Sequence, residues 1–427
     1  MNEEYAAEKD IFFKCGTAEG YFGALRAAGD RYYTMPMMES VPGKTMTFEG
    51  RDCLMWSINN YLGLAENQDI KAEALEALKT WGISGPMGSR MMSGNTAEHI
   101  ELEEQLASFS GKESSILFNY GYLGVLGTIS ALVGPDDIII MDKLVHASII
   151  DAAFGAVADR KQIRVFRHND MTSLEERLKS VDKTRKGGVI ILTEGVYGMT
   201  GDLANLKDIC DIKERYGARL FTDDAHGCGV MGPTGRGTGE YFGVQDKIDL
   251  YFATFAKAFA AIGGYTASTK DAVEWMRYNA RTQVFAKSLP MVYVKALMKT
   301  LALVREGDER RKQLFAVSRS LSDGLRELGF YVGRVDSPLV AVYVPQPDEQ
   351  IAMEWIHFLR EKGIFVTAVS YPVIPRGYVM FRMVPTASHD EADVARTLAA
   401  FKSLREEKRL ALEYDEKALA RIYRGAE

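Results

Sequence analysis

Cysteine is scarce: 4 residues in 427, Cys15, Cys53, Cys210 and Cys228, scattered without a CxxC spacing. That pattern excludes a disulfide framework and the common cysteine zinc sites. Cationic charge is not in excess either. There are 52 Lys and Arg against 58 Asp and Glu, a net charge of −6, with a pI near 5.7. Sequence-independent nucleic-acid binding, which runs on clustered cations, is therefore not expected. No uninterrupted apolar run approaches the ~18 residues of a membrane span. The opening Met1-Asn-Glu-Glu-Tyr5 is acidic and lacks the basic-then-apolar order of a signal peptide. The expectation is a soluble, cytoplasmic protein whose membrane contact is at most peripheral, with no metal site.

What is present is apolar bulk, 47% of the residues, enough for a sizeable core and too much chain for one typical small domain. Residues 1–45 read as an N-terminal helix and an extended arm, interrupted by Pro36 and Pro42. From 46 onward short apolar runs alternate with helical patterns. The runs are Ser114–Phe118, Asp137–Met141, Ile163–Phe166, Val189–Leu192, Ala218–Thr222 and Leu250–Thr254. Nearly continuous Val, Ile, Leu and Phe suits strands buried on both faces. A mainly parallel α/β domain is expected over 46–290. A long helical stretch, Val292–Leu328, then opens a smaller α+β domain over 291–405. Its strands are expected at Phe330–Val332, Leu339–Val344 and Val379–Met383, and a charged helical tail at 406–427.

Chemistry gathers at the ends of the two last-named runs of the larger region. Asp223 closes one run and His226 follows it, while Lys257 follows the other in Thr254-Phe-Ala-Lys257. A strand-end Asp also suits a helix cap, a lone His a hydrogen-bonded turn, and a lone Lys the surface. No other charge lies between Tyr251 and Ser268, so a desolvated amine of low pKa is the better reading of Lys257. Carboxylate, imidazole and such an amine together fit a pyridoxal phosphate (PLP) site. There a lysine forms the Schiff base and an acid keeps the pyridine nitrogen protonated.

Four further signals are weaker. Gly121-Tyr122 follows a strand and opens a helix, a place where free N–H groups bind phosphate. Thr254 and, more speculatively, Ser288 offer hydroxyls to the same anion. His146, just beyond Met141, stands where a ring stacks on a flat cofactor or serves structure. Arg382, between Phe381 and Met383, needs an anionic partner, either a substrate carboxylate or an internal salt bridge.

With these residues in view the chain resembles the α-oxoamine synthases, PLP-dependent enzymes of fold type I. The family includes 8-amino-7-oxononanoate synthase, 2-amino-3-ketobutyrate ligase, 5-aminolevulinate synthase and serine palmitoyltransferase. The resemblance rests on Asn59-Asn-Tyr-Leu-Gly-Leu64, Gly88-Ser-Arg90, Gly94–Leu102, His146–Asp151, Thr193-Glu-Gly-Val196, Thr222–Gly227, Gly235-Arg-Gly237, Lys257, and Arg382 with Ala387-Ser-His389. It implies a large domain with a mainly parallel seven-stranded sheet and a smaller C-terminal α+β domain. It also implies that Lys257 is the Schiff-base lysine and proton carrier, Asp223 the partner of the ring nitrogen, and His226 that of the phenolic oxygen. His146 would stack on the ring. Glu194 would belong to the cofactor-binding set, Gly121, Tyr122, Thr254 and Ser288 to the phosphate, and Asn59 and Arg382 to the amino acid carboxylate. The family's homodimer completes each site from the neighbouring subunit.

Against the family pattern, Gly198 stands for Ser, Thr200 for Asp, Asp224 for Glu, and Lys287 for a small neutral residue. The methionines of Gly85–Met92 suggest an adaptable apolar wall suited to a long acyl chain. The expected reaction is condensation of serine or cysteate with a long-chain acyl thioester, carried by CoA or acyl carrier protein, with loss of CO2. Alternatives are an 8-amino-7-oxononanoate synthase acting on alanine and a pimeloyl thioester, an aminotransferase, or an idle partner subunit. Lys257 argues against the last.

Overall fold

The computed structural model describes residues 10–20, 22, 23, 26 and 31–423. The expected N-terminal helix therefore falls largely outside the described residues. Within them that stretch holds a 3-10 turn, Phe13–Gly16, and one helical turn, Arg31–Thr34.

The strands in chain order are β1 (Thr45–Phe48), β2 (Arg51–Met55), β3 (Ser114–Phe118), β4 (Ile138–Asp142), β5 (Ile163–Phe166), β6 (Val189–Glu194) and β7 (Arg219–Asp223). They continue with β8 (Leu250–Thr254), β9 (Gly264–Ser268), β10 (Val340–Tyr343), β11 (Ile364–Phe365), β12 (Ala368–Val369) and β13 (Met380–Met383). Seven of them form one sheet in the order β3-β9-β8-β7-β6-β4-β5. Strands β5, β4, β6, β7 and β8 run parallel, and β9 runs antiparallel between β8 and β3.

Burial on both faces explains why these runs are so apolar. In β6, Ile190 and Leu192 pack with Val125, Ile129 and Ile149 on one face. Val189 and Ile191 pack with Leu174, Ile209 and Leu301 on the other. Alternate side chains of one strand thus feed two cores, and helices cover both sides. Strand β9 has no counterpart in the sequence reading. Its Gly-Tyr-Thr-Ala-Ser composition offers one aromatic and no aliphatic run, yet every residue of it is buried.

Two smaller sheets follow other rules. Strands β10, β13 and β12 pair antiparallel. A hairpin of β1 and β2 adds β11 in parallel, so residues from near 50 and near 365 share one sheet. Behind them Leu321, Trp355, Leu359, Phe381 and Phe401 form a separate core.

The helical stretch after Pro290 is two helices, Met291–Arg305 and Asp308–Glu327, interrupted at Gly307. The first packs its Leu297 and Leu301 into the core of the large sheet. Phe330–Val332 contributes only an isolated bridge between Val332 and Val342. The tail also differs from the expected solvated helix. After Glu407 the described residues are helical only over Glu416–Ala420 and Arg421–Tyr423. Ile422 and Tyr423 are buried, and the Tyr423 hydroxyl lies 2.9 Å from that of Tyr343. An apolar pair at the end of a charged segment is enough to dock it. Among the described residues no helix is long and apolar enough to cross a membrane.

Candidate active site

The parallel strands end on one side of the sheet, where open α/β sheets present functional groups. Strand β7 ends at Asp223 and β6 at Glu194, and the register sets these two residues side by side. Both are buried. Burial raises the pKa of each, Glu194 to about 8, and each carboxyl is in the field of Lys257. The Asp223 Oδ1 accepts from the Ala225 N–H at 3.0 Å.

Lys257 follows β8 by three residues, in a turn where the Ala260 N–H donates to the Lys257 carbonyl at 2.9 Å. Desolvation pulls its pKa down to about 8, opposed by Asp223 and Glu194. A lowered lysine pKa means that the reactive neutral amine is the minor form below pH 8 and the major form above it. Capture of an added aldehyde by the cofactor-free protein should therefore accelerate as pH rises from 7 to 9 and level off beyond. Stopped-flow absorbance with PLP checks this; a rate flat over that range contradicts it.

His226 is buried, and its Nδ1 lies 2.8 Å from the Tyr61 hydroxyl. Arg382 lies close enough to Tyr61 for the two to perturb each other electrostatically. The pKa of His226 lies well below the ordinary value, through burial first and then Lys257 and Arg382. His146 caps the helix Ala147–Ala156, its Nδ1 accepting from the Ser148 N–H at 3.2 Å. Its ring is exposed and lies edge-on to Tyr122, with centroids 6.4 Å apart.

Arg382 sits on β13, and its partners are the Gly198 carbonyl, the Asn59 Oδ1 at 3.1 Å and Tyr61. None of these is an anion. Desolvation lowers its pKa. Of the two readings of this residue, the internal salt bridge has no support among the described residues.

Gly121 opens the helix Gly121–Leu132, whose N-cap Tyr120 offers no side-chain bond. A Cβ at 121 would meet the Thr254 Oγ1 at 2.7 Å, so only glycine lets the helix start this close to β8. Thr254 donates its hydroxyl to the Gly263 carbonyl at 2.9 Å, leaving oxygen lone pairs to accept. The Tyr122 hydroxyl donates to Asp151. The Ser288 hydroxyl donates to the Gly88 carbonyl at 3.0 Å, and with Asn119 and Lys287 it lines a small cavity. The Lys287 ammonium donates to Ser84.

Two contacts were not visible in the sequence. Tyr61, the partner of His226, stood in a noted motif but carried no chemical signal of its own. Asp224 is wholly buried among three glycines, 195, 227 and 237, each of whose added Cβ would lie within 2.1 Å of a carboxylate oxygen. It accepts from the Thr238 N–H and hydroxyl, both at 2.8 Å, and so shapes the turn after Asp223.

The model of the aminotransferase class I and II family matches residues 51–401. The chain belongs to this family. Within it, the chain is 42% identical over 402 residues to a cysteate-C-fatty acyltransferase of Capnocytophaga ochracea, covering 93% of this chain and 95% of that one. It is 38% identical over 379 residues to an 8-amino-7-oxononanoate synthase of Geotalea daltonii, covering 88% and 94%. A solved serine palmitoyltransferase of S. paucimobilis with bound PLP–myriocin superposes with a TM-score of 0.87 at 31% identity, over 93% of this chain and 99% of that one. The chain thus falls in the α-oxoamine synthase branch that its motifs imply, with PLP as cofactor.

The residues present fit that cofactor. The uncapped helix start at the Gly121–Thr254 contact suits a phosphate. Asp223 offers a buried acid, and Lys257 an amine brought close to neutrality.

Proposed function

We propose that the protein catalyses the decarboxylative condensation of a small L-amino acid, cysteate or serine, with a long-chain fatty acyl thioester. The products are a 3-keto lipid base, CO2 and the free thiol, with one proton taken up. The observation that carries this reading is the meeting of Lys257, Asp223 and the anion-free Arg382 around one set of strand ends. The cysteate-C-fatty acyltransferase at 42% identity supports the choice of substrates.

PLP, when bound, supplies an aldehyde for the substrate amine and an electron sink for the charge left at Cα. The protein's own groups do the rest. Arg382 and Asn59 hold the amino acid carboxylate, which sets the Cα–H bond toward Lys257. The neutral Lys257 amine takes that proton, and its pKa near 8 suits a base working close to neutral pH. Asp223, a buried acid, would keep the ring nitrogen cationic. His226 would pair with the phenolic oxygen, the His146 ring would stack on the cofactor, and Glu194 would complete the acid pair at the strand ends. The pocket is taken to lie between the larger unit, 46–290, and the smaller, 291–405. A homodimer is part of the proposal. The loop bearing Ile83, Met87, Met91 and Met92 is exposed, yet it is pinned by Arg90 to the buried Glu103 at 2.9 and 3.0 Å, so it suits a partner subunit.

The deciding experiment is a panel of cysteate, serine, alanine and glycine, each with palmitoyl-CoA, palmitoyl-carrier protein or pimeloyl-CoA, followed by thiol and CO2 release. Turnover with cysteate or serine and a palmitoyl donor is expected. Turnover confined to alanine and pimeloyl-CoA would overturn the reading.

A further inference from the structure

Outside the pocket lies a buried bridge that none of the roles above uses. His168 Nδ1 is 2.9 Å from the Asp142 Oδ1, and its Nε2 is 2.9 Å from the Asp202 Oδ2. All three side chains are at most 1% exposed. A ring with a carboxylate on each nitrogen must donate from both, so it is an imidazolium. Burial works against that charge, but the two carboxylates raise its pKa to about 10.

The bridge joins three strand ends. Asp142 closes β4, His168 follows β5, and Asp202 ends the turn that follows β6. Neutral donors complete the carboxylates. The Asn169 N–H donates to Asp142 at 2.9 Å, its side-chain amide to Asp202 at 3.1 Å, and the Thr200 hydroxyl to the other Asp202 oxygen. The Tyr197 ring stands edge-on to His168 at 4.4 Å, and the Tyr197 N–H donates to the Asp202 carbonyl at 2.9 Å. One end of the 197–202 turn is thereby fastened to the sheet.

Its other end enters the pocket. The Gly198 carbonyl accepts from Arg382, and the Gly198 N–H donates to Glu194 at 3.4 Å. A Cβ on Gly198 would sit 2.3 Å from the His226 Nε2, so the turn also abuts the imidazole face. Two reactive-site side chains therefore lean on a backbone whose anchor is His168.

We propose that His168 is a positioning residue: its bridge between Asp142 and Asp202 holds the 197–202 turn, and through Gly198 sets the Arg382 guanidinium and the His226 ring. This rests on the reading that Arg382 grips the amino acid carboxylate. Without the imidazolium two buried carboxylates face each other unpaired, and the turn must move to reach water or protons.

The test uses the PLP-loaded His168→Leu and His168→Gln variants, the second retaining a donor for one carboxylate. Amino acid affinity is read by titrating cysteate and serine against the cofactor's visible absorbance. The KM for palmitoyl-CoA is read from turnover, and hydrogen exchange of residues 196–202 without substrate. For His168→Leu an affinity loss of about tenfold is expected, with the palmitoyl-CoA KM within about twofold and faster exchange of the turn. His168→Gln should fall between it and the parent. Equal losses for both substrates, or unchanged affinity and exchange in a folded variant, would overturn the proposal. Where His168→Leu does not fold, the same split in His168→Gln decides. A parent that responds to no amino acid refutes the function proposed above, while exchange still judges the bridge.

Discussion

Replacing Lys257 by alanine is expected to abolish turnover, by on the order of 10⁴-fold or more, because in the proposed mechanism one amine serves as both covalent anchor and proton carrier. The visible absorbance of the PLP-soaked, desalted protein should vanish with it. The fold should tolerate the change. Lys257 is held at a desolvation cost, which draws its pKa down to about 8, and the cation lost from beside Asp223 and Glu194 is offset by proton uptake on those acids, whose pKa values burial already raises. A melting temperature close to that of the parent would separate lost chemistry from lost structure. A Lys257→Ala protein that keeps its colour after desalting and turns over at the parent rate would end the assignment of this residue.

Asp223→Asn should be nearly as damaging and for a different reason. The amide keeps the shape and the bond to the Ala225 N–H but removes the only negative charge proposed to face the ring nitrogen. Loss of one preorganised electrostatic group in a water-excluded site costs about 3–4 kcal/mol of barrier, roughly 10²–10³-fold in kcat. Unlike Lys257→Ala, this variant should still bind PLP covalently and stay coloured. The expected signature is thus colour without turnover. Burial already raises the pKa of Asp223, so the amide should not weaken the fold, and urea unfolding should confirm that. Glu194 also reports on the change. Burial raises its pKa first and Asp223 second, so loss of Asp223 should lower it. A variant with parent-like kcat would remove Asp223 from the mechanism.

Much of this architecture was legible in single segments. Strands buried on both faces must be apolar at every position, so β3, β4, β6 and β8 stand out as runs of Val, Ile, Leu and Phe. Strand β9 did not stand out, because its place between the edge strand β3 and strand β8 is decided by pairing rather than by aliphatic content. The same division applies to the tail, where burial of Tyr423 depends on packing against Tyr343, 80 residues away.

The site divides likewise. Asp223, His226 and Lys257 were readable because each follows a strand end closely, where local chain geometry decides which way a side chain can reach. Arg382 was readable as a cation lacking an obvious partner, but not where it points. Its bond to Gly198 spans 184 residues and its bond to Asn59 spans 323. The sequence alone thus determined most of the strand and helix pattern and the types of candidate reacting group, since both follow from short-range periodicity and composition. Only the tertiary structure decided that Tyr61 orients His226, that Ser288 turns to Gly88, and that a buried imidazolium anchors the turn beneath Arg382. Those are contacts between distant segments, and long-range packing chooses them only once the sheet has closed.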